Sequence, residues 1–410
     1  MINIDENKIF DLLSAAKNVK EAEFKRIITK AKSLKRLTLE ETAMLLESYK
    51  PEQLTKIFQA ASFVKDAIYG RRIVLFAPLY ISNLCANNCL YCAFKSDNPA
   101  TKRRALRIEE IKEQVAWLLS RGHKRILMVC AEAAPGGKSN IDYYLESVKA
   151  IYETSVGNNR IRRVNVNCAP LTTEEFKKLK SCGIGTYQLF QETYHEETYR
   201  KVHPRGPKSD PDNRIDAVDR AFLAGIDDIG IGVLYGLYDW KFDTLAMLEH
   251  IEHMEEKFGV GPHTISVPRI EPAQGVEFTK NMPYQVSDKA FKRLVAILRL
   301  SVPYAGIILT TRENARMRDR LFNLGVSQIS AESRTSPGGY SSADNNQNQD
   351  IQFTLGDQRS IDEIVGTLIE KKFIPSFCAA CYRRERTGEA FMNLAKPGTI
   401  KDKCSMNGLI

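Results

Sequence analysis

The sequence predicts an α/β fold: a (β/α)8 barrel of TIM type, with an N-terminal helical cover before it and a small C-terminal module after it. Three observations carry this. Eight short apolar runs alternate with seven amphipathic stretches between residues 71 and 340, the pattern of a parallel sheet whose crossovers are helices. Residues 1–70 show only helical spacing of apolar positions. Past residue 340 the chain turns polar, and residues 341–410 carry a separate group of cysteines.

In order, apolar positions recur at helical spacing in Ile9-Phe10, Leu12-Leu13 and Ala43-Met44-Leu45-Leu46, and Pro51 is placed to open a further helix through Phe63. Strands are expected at Ile73–Ile81, Arg125–Cys130, Ile161–Asn167, Gly185–Phe190, Asp228–Leu234, Thr264–Val267, Ile307–Thr310 and Val326–Ser330. Helical patterns fill 108–121, 141–154, 173–181, 212–224, 241–257, 287–301 and 312–323. The fourth strand has the weakest pattern, and a six-strand partial barrel is the alternative. Thr335 to Tyr340 reads as a turn and Ser341–Asp350, rich in Asn and Ser, as a loop.

A chain of 410 residues buries a large core, and no stretch approaches the ~20 apolar residues of a membrane span. The N-terminus lacks a basic region followed by an apolar run, so no export signal is expected. Nine cysteines without export point to a reducing, cytoplasmic setting. The net charge of +9 is spread out and favours an acidic partner or a carboxylate substrate rather than nucleic acid. Lys102-Arg103-Arg104 reads as a solvated loop. Cys130, Cys168 and Cys182 are scattered and read as buried small hydrophobes.

The remaining cysteines form two groups. Cys85, Cys89 and Cys92, spaced C-x3-C-x2-C, follow the first strand, and Tyr91 precedes the last of them. Three thiolates hold three corners of a 4Fe-4S cluster and leave one iron open, which is what reductive cleavage of bound S-adenosyl-L-methionine needs; a structural zinc site usually takes four protein ligands. Loops after barrel strands gather at the C-terminal mouth. That mouth should also receive Glu132 from the loop Cys130 to Gly137, Glu192 after strand 4 with Arg214 nearby, and Arg312 after strand 7. Glu132 and Glu192 are candidate acceptors for the cofactor's ammonium group or ribose hydroxyls. Arg214 is a candidate partner for its carboxylate, and Arg312 a candidate fork for a substrate carboxylate. Gly230-Ile231-Gly232 lies within a strand, where glycine lets a flat ring approach the backbone.

The second group is Cys378, Cys381 and Cys404, spaced C-x2-C-x22-C. It suits an auxiliary iron–sulfur cluster better than zinc. His263 precedes strand 6 and so lies at the barrel floor, where such a module has room to dock. His250 and His253 are weaker candidates near the same end, expected on the surface.

These residues, with Gln191-Glu192-Thr193-Tyr194-His195, His203, Asp219-Arg220, Gly230-Ile231-Gly232 and Ser336-Pro337-Gly338-Gly339-Tyr340, resemble the radical-SAM tyrosine lyases. The likeness runs from about residue 40 to the C-terminus. One branch of that family supplies dehydroglycine for the thiamine thiazole. The other builds an iron–carbonyl–cyanide unit for FeFe-hydrogenase, and Gly261-Pro262-His263-Thr264-Ile265-Ser266 with the terminal cysteine spacing looks like that branch.

The resemblance implies a 5′-deoxyadenosyl radical that takes hydrogen from the amino group of L-tyrosine, and Cα–Cβ cleavage to p-cresol and dehydroglycine. Conversion of dehydroglycine to carbon monoxide and cyanide would follow on a fifth iron at the second cluster, held with the help of His263 and free cysteine. It also implies a reductant such as ferredoxin or flavodoxin and a hydrogenase-maturation scaffold protein. Strands of five to eight residues put the barrel ends roughly 20 Å apart, so dehydroglycine would travel through the interior.

Two features depart from the family pattern. The chain stops six residues after Cys404, earlier than expected, and Glu332 stands where glycine is expected; a carboxylate there is a candidate influence on substrate fit. The rival readings are a tyrosine or tryptophan lyase whose second cluster only carries electrons, and a zinc-stabilised binding protein without enzymatic activity.

Overall fold

A computed structural model gives the architecture and describes residues 2–133, 135, 140–341 and 350–408. The barrel strands are β1 (Arg72–Ser82), β2 (Arg125–Cys130), β3 (Arg163–Asn167) and β4 (Tyr187–Glu192). They continue with β5 (Ile229–Val233), β6 (Thr264–Ser266), β7 (Gly306–Leu309) and β8 (Val326–Ser330). Each pairs in parallel with the next, and β8 pairs back onto β1, with Val74 facing Gln328. Closure removes the open sheet edges, so the partial-barrel alternative falls. A further strand, β9 (Ile374–Ser376), adds to the first residues of β1, Arg72–Val74.

Helices Glu6–Ala15, Glu21–Lys32, Leu39–Leu46 and Pro51–Tyr69 precede the barrel. Pro51 sits in the first turn of its helix, where a missing N–H costs nothing. Thr38 and Glu41 form a capping box at the start of the third helix. The apolar faces of these helices join the same core cluster as the barrel: Ile57, Val64 and Ile68 are fully buried with Leu294 and Ile297 of the barrel helix Asp288–Ser301.

The structure shifts several sequence expectations. β4 runs two residues past the expected end because the register breaks between Phe190 and Glu192, and Glu192 takes the left-handed region at φ 75°. That turn projects Glu192 at the rim. The helix expected over 212–224 is two helices, Pro211–Ile215 and Ala217–Leu223. The helix expected from residue 312 starts at Ala315 behind an Asn314 cap, which leaves Arg312 in the loop. Ala134, Gly136, Gly137 and residues 342–349 of the two expected loops lie outside the described residues.

Some side chains also differ. His250 is buried, not on the surface, and its Nδ1 meets the Tyr194 hydroxyl at 2.9 Å. His253 is half-buried against Asp219 at 3.0 Å. Cys130 and Cys168 are buried, whereas Cys182 is only partly covered because it ends a surface helix. Arg103 is not a solvated residue; it donates to the carbonyls of Asn83 at 3.1 Å and Phe94 at 2.8 Å and so pins the segment that carries the first cysteine group. At Gly232 a Cβ would stand 2.9 Å from the Phe190 ring and 2.7 Å from Ser266 O. The flat ring against the strand is therefore the protein's own.

Candidate active site

β1 delivers the chain to the mouth at Ser82, and the next ten residues carry Cys85, Cys89 and Cys92. Asn83 folds this segment back: its Nδ2 donates to Lys102 O at 2.9 Å and its Oδ1 accepts from Arg104 N. The three thiols line one cavity together with Glu132, Glu192, Lys208, Arg214 and Arg312, with an empty volume of about 1340 Å³ including its open mouth. The positions named from sequence for this end, Tyr91 included, therefore share one space, although they come from five separate segments.

Burial pushes the Cys89 thiol up, and Cys92 and Cys85 beside it push the same way. Such crowding of thiols is unfavourable without a metal and becomes favourable when metal displaces the protons. Two side-chain amides address the sulfurs, Asn87 Nδ2 at 3.7 Å from Cys85 Sγ and Gln352 Nε2 at 3.6 Å from Cys92 Sγ. Among the described residues no group of three or more His, Cys, Asp and Glu side chains could hold a single metal ion. A four-iron cluster is wider than one ion, and its thiolates stand farther apart. Three soft thiolates with amide N–H groups aimed at them, in a cavity large enough for a nucleoside, fit such a cluster with an open iron and S-adenosyl-L-methionine beside it.

The charged groups of the mouth are interlocked. Arg214 donates through Nε to Phe190 O at 2.7 Å and through Nη1 to Glu132 Oε1 at 3.1 Å, and its Nη2 stands 3.7 Å from Glu192 Oε1. Burial opposes its charge, but Glu132 and Glu192 outweigh burial and hold Arg214 charged. Glu132 in turn, though buried, is kept below its ordinary value by Arg214 and Lys208. Arg214 thus orients two carboxylates rather than standing free for a cofactor carboxylate.

Sequence reasoning missed Lys208. Its Nζ lies 2.5 Å from Glu192 Oε1 and 5.6 Å from the Tyr91 ring centre. Burial lowers its affinity for a proton, yet Glu192 and the neighbouring acids raise it to about 12. A lysine in a polar Gly-Pro loop carries no signal in one sequence. The Tyr91 hydroxyl meets His203 Nε2 at 2.8 Å, and burial keeps that imidazole neutral.

Arg312 is opposite in character. It forms no ion pair with a described residue, and its guanidinium stacks 3.3 Å from the Phe353 ring centre inside the cavity. Glu332 does not line that cavity. Its Oε2 accepts from Arg121 Nε at 3.2 Å and from Ile361 N at 3.3 Å. With φ at 49° it occupies a backbone position that suits glycine, and its carboxylate is turned away from the substrate space.

At the other end, Arg125, the first residue of β2, donates to Cys378 O at 3.2 Å. Cys404 and Cys381 share a thiol hydrogen bond, which together with Arg72, Arg386 and Arg125 lowers the Cys381 thiol below its ordinary value against the effect of burial. His263 packs against Phe391 of the C-terminal module, ring centres 4.0 Å apart and tilted by 36°, and its Nδ1 stands 3.6 Å from Asp228 Oδ2. Burial lowers His263 to about 4 despite Asp228, so the ring is neutral and able to ligate. Asp228 also receives Arg163 at 2.7 Å and Thr186 at 2.9 Å. This buried network inside the lower barrel was not legible in the sequence.

A closed (β/α)8 barrel whose first strand leads into a C-x3-C-x2-C loop, with paired acids around the same mouth, defines a radical-SAM enzyme. Residues 79–251 match the Radical SAM superfamily, and residues 266–374 match the Biotin and Thiamin Synthesis associated domain. The chain is 31% identical over 351 residues to the 2-iminoacetate synthase of Escherichia coli, covering 85% of this chain and 89% of that protein. A crystal structure of HydG, a maturase of the [FeFe]-hydrogenase, superposes with a TM-score of 0.94 at 49% identity, over 99% of this chain and 87% of that one. HydG from Carboxydothermus hydrogenoformans gives 0.84 at 44%, over 95% and 86%. The chain belongs to the radical-SAM tyrosine lyase family of the HydG maturases and 2-iminoacetate synthases. It is a radical-SAM lyase using a 4Fe-4S cluster and S-adenosyl-L-methionine, which replaces the reading as a zinc-stabilised binding protein.

Proposed function

We propose that this lyase cleaves L-tyrosine to p-cresol and dehydroglycine, and that it turns dehydroglycine into carbon monoxide and cyanide for assembly of the FeFe-hydrogenase cofactor. The observations that carry the second half are the mutual approach of Cys378, Cys381 and Cys404 and the contact of His263 with Phe391 of the same C-terminal module, in a chain 49% identical to a HydG maturase.

When bound at Cys85, Cys89 and Cys92, the cluster supplies one electron for reductive cleavage of S-adenosyl-L-methionine. The protein's own side chains do the rest by placement. Glu132, held ionised by Arg214 and Lys208, and Glu192, paired with the same two cations, accept from the cofactor's ammonium and ribose hydroxyl groups. Arg312, stacked and without an ionic partner, takes the tyrosine carboxylate with its planar fork.

At the floor, Cys378, Cys381 and Cys404 would hold an auxiliary 4Fe-4S cluster. His263, neutral and facing the module, would hold the fifth iron together with free cysteine. Dehydroglycine reaches it through the barrel. A ferredoxin- or flavodoxin-type reductant and a hydrogenase-maturation scaffold protein complete the proposed partners. Anaerobic incubation with S-adenosyl-L-methionine, dithionite and tyrosine tests the reading. p-Cresol together with carbon monoxide and cyanide supports it. p-Cresol and dehydroglycine alone would reduce the floor cluster to electron transfer.

A further inference from the structure

After the expected polar loop the chain returns across the barrel mouth. Gln352 N donates to Thr335 O at 3.0 Å, Ala93 N to Gln352 O at 3.4 Å, Thr354 N to Pro272 O at 2.9 Å and Gly356 N to Thr311 O at 2.9 Å. The backbone around Gln352 is thereby fixed to the turn after β8, to the cysteine segment and to the loops after β6 and β7. The Gln352 side chain is fixed as well. The Tyr80 hydroxyl lies 2.7 Å from Gln352 Oε1, which leaves Nε2 facing Cys92 Sγ at 3.6 Å. The opposite amide orientation would aim a carbonyl oxygen at a thiolate.

Asn87 repeats the arrangement. Lys208 N donates to its Oδ1 at 2.7 Å, and its Nδ2 is shared between Glu132 Oε2 at 2.6 Å and Cys85 Sγ at 3.7 Å. In both cases one end of an amide is pinned and the other is directed at a sulfur.

We propose that Gln352, oriented by Tyr80, is a positioning residue that sets the reduction potential of the first cluster through an N–H···S bond to Cys92. The proposal rests on Cys85, Cys89 and Cys92 being the thiolates of that cluster. A one-electron reduction adds negative charge to the cluster and its sulfurs. An N–H donor stabilises the more negative state, so it raises the potential. The electron comes from an external one-electron reductant, and no bond to Gln352 forms or breaks. Tyr80 also lines the substrate cavity beside Arg312, so the orienting hydroxyl is a member of the active site itself.

The test is an anaerobic, EPR-monitored redox titration of the full holoenzyme. It follows the cluster signal that S-adenosyl-L-methionine perturbs, with iron content measured in parallel. Gln352→Met keeps side-chain length and removes the donor. It should retain iron and the S-adenosyl-L-methionine response while the midpoint moves negative, with a three- to ten-fold smaller reduced fraction at a fixed donor potential; ten-fold corresponds to about 59 mV for one electron. Tyr80→Phe frees the amide and should shift the midpoint the same way by less, and it decides the matter if Gln352→Met fails to assemble. The second cluster's midpoint should stay in place in both variants. An unchanged first midpoint, or equal shifts of both clusters, overturns the proposal. Loss of the perturbable signal in Cys85→Ser, but not in Cys378→Ser, separates this result from failure of the cluster assignment.

Discussion

The Arg312 guanidinium sits over the Phe353 ring, its Cζ 3.3 Å from the ring centre, although the two residues are brought together only by the return of the chain across the mouth. Its N–H fork has no hydrogen-bond or ionic partner among the described residues. Arg312→Lys keeps a charge and loses both the fork and the stack. We expect tyrosine KM to rise roughly ten-fold, about 1.4 kcal/mol, with S-adenosyl-L-methionine binding little changed. Equilibrium binding of each ligand checks this, and unchanged tyrosine affinity would remove Arg312 from the substrate site.

Cys85→Ser, Cys89→Ser and Cys92→Ser should each abolish formation of 5′-deoxyadenosine, because a serine hydroxyl does not replace a soft thiolate at iron. Quantifying 5′-deoxyadenosine by chromatography decides it. Production at the parent rate in any of the three would show that the cavity thiols are not the cluster ligands.

His263→Ala should separate the two halves of the proposed reaction. p-Cresol should still form, since His263 lies at the floor beside Phe391 and far from the mouth. The fifth iron and its carbonyl and cyanide bands should be lost, and Cys378→Ser or Cys381→Ser should lose them more completely. Infrared spectra during turnover with labelled tyrosine provide the readout. Bands of parent intensity in His263→Ala would return that residue to a packing role.

Asp243 lies behind β4, accepting from Thr193 Oγ1 at 2.9 Å and Tyr194 N at 2.8 Å, while its Oδ2 is buried without a hydrogen-bond partner among the described residues. Burial raises its carboxyl to about 7 from 3.8. Between those values the folded state binds more protons than the unfolded one, so this residue's contribution to stability falls as pH rises, by about 1.4 kcal/mol per unit at most. Asp243→Asn keeps an oxygen acceptor for both donors and removes the charge. It should flatten the pH dependence of Tm between pH 4 and 7 and raise Tm at pH 8. A variant whose Tm falls with pH as steeply as the parent's would assign the dependence elsewhere.

Glu332→Gly should leave tyrosine KM unchanged, because the Glu332 carboxylate engages Arg121 rather than the cavity. Relief of the left-handed backbone favours glycine by about 1 kcal/mol, and loss of the partly exposed Arg121 pair and of the long Ile361 N hydrogen bond costs about the same. Stability should therefore move little. A several-fold change in tyrosine KM would place Glu332 in the substrate space after all.

The sequence by itself determined what local spacing encodes. Short apolar runs marked the eight barrel strands and period-3.6 patterns most of the helices, and C-x3-C-x2-C placed three thiols within eight residues wherever the loop went. Strand order then placed the loops bearing Glu132, Glu192 and Arg312 at one mouth.

Tertiary structure alone decided which partner each of these groups meets. Lys208, Asn87, Gln352 and Phe353 act through contacts between distant segments, and Asp228 pairs with Arg163 inside the barrel across the intervening strand β4. The same applies to charge state. Arg214 and Arg312 look alike in sequence, yet one is locked to two carboxylates and the other stacks without an ionic partner, because only folding fixes the distances on which electrostatic energy depends.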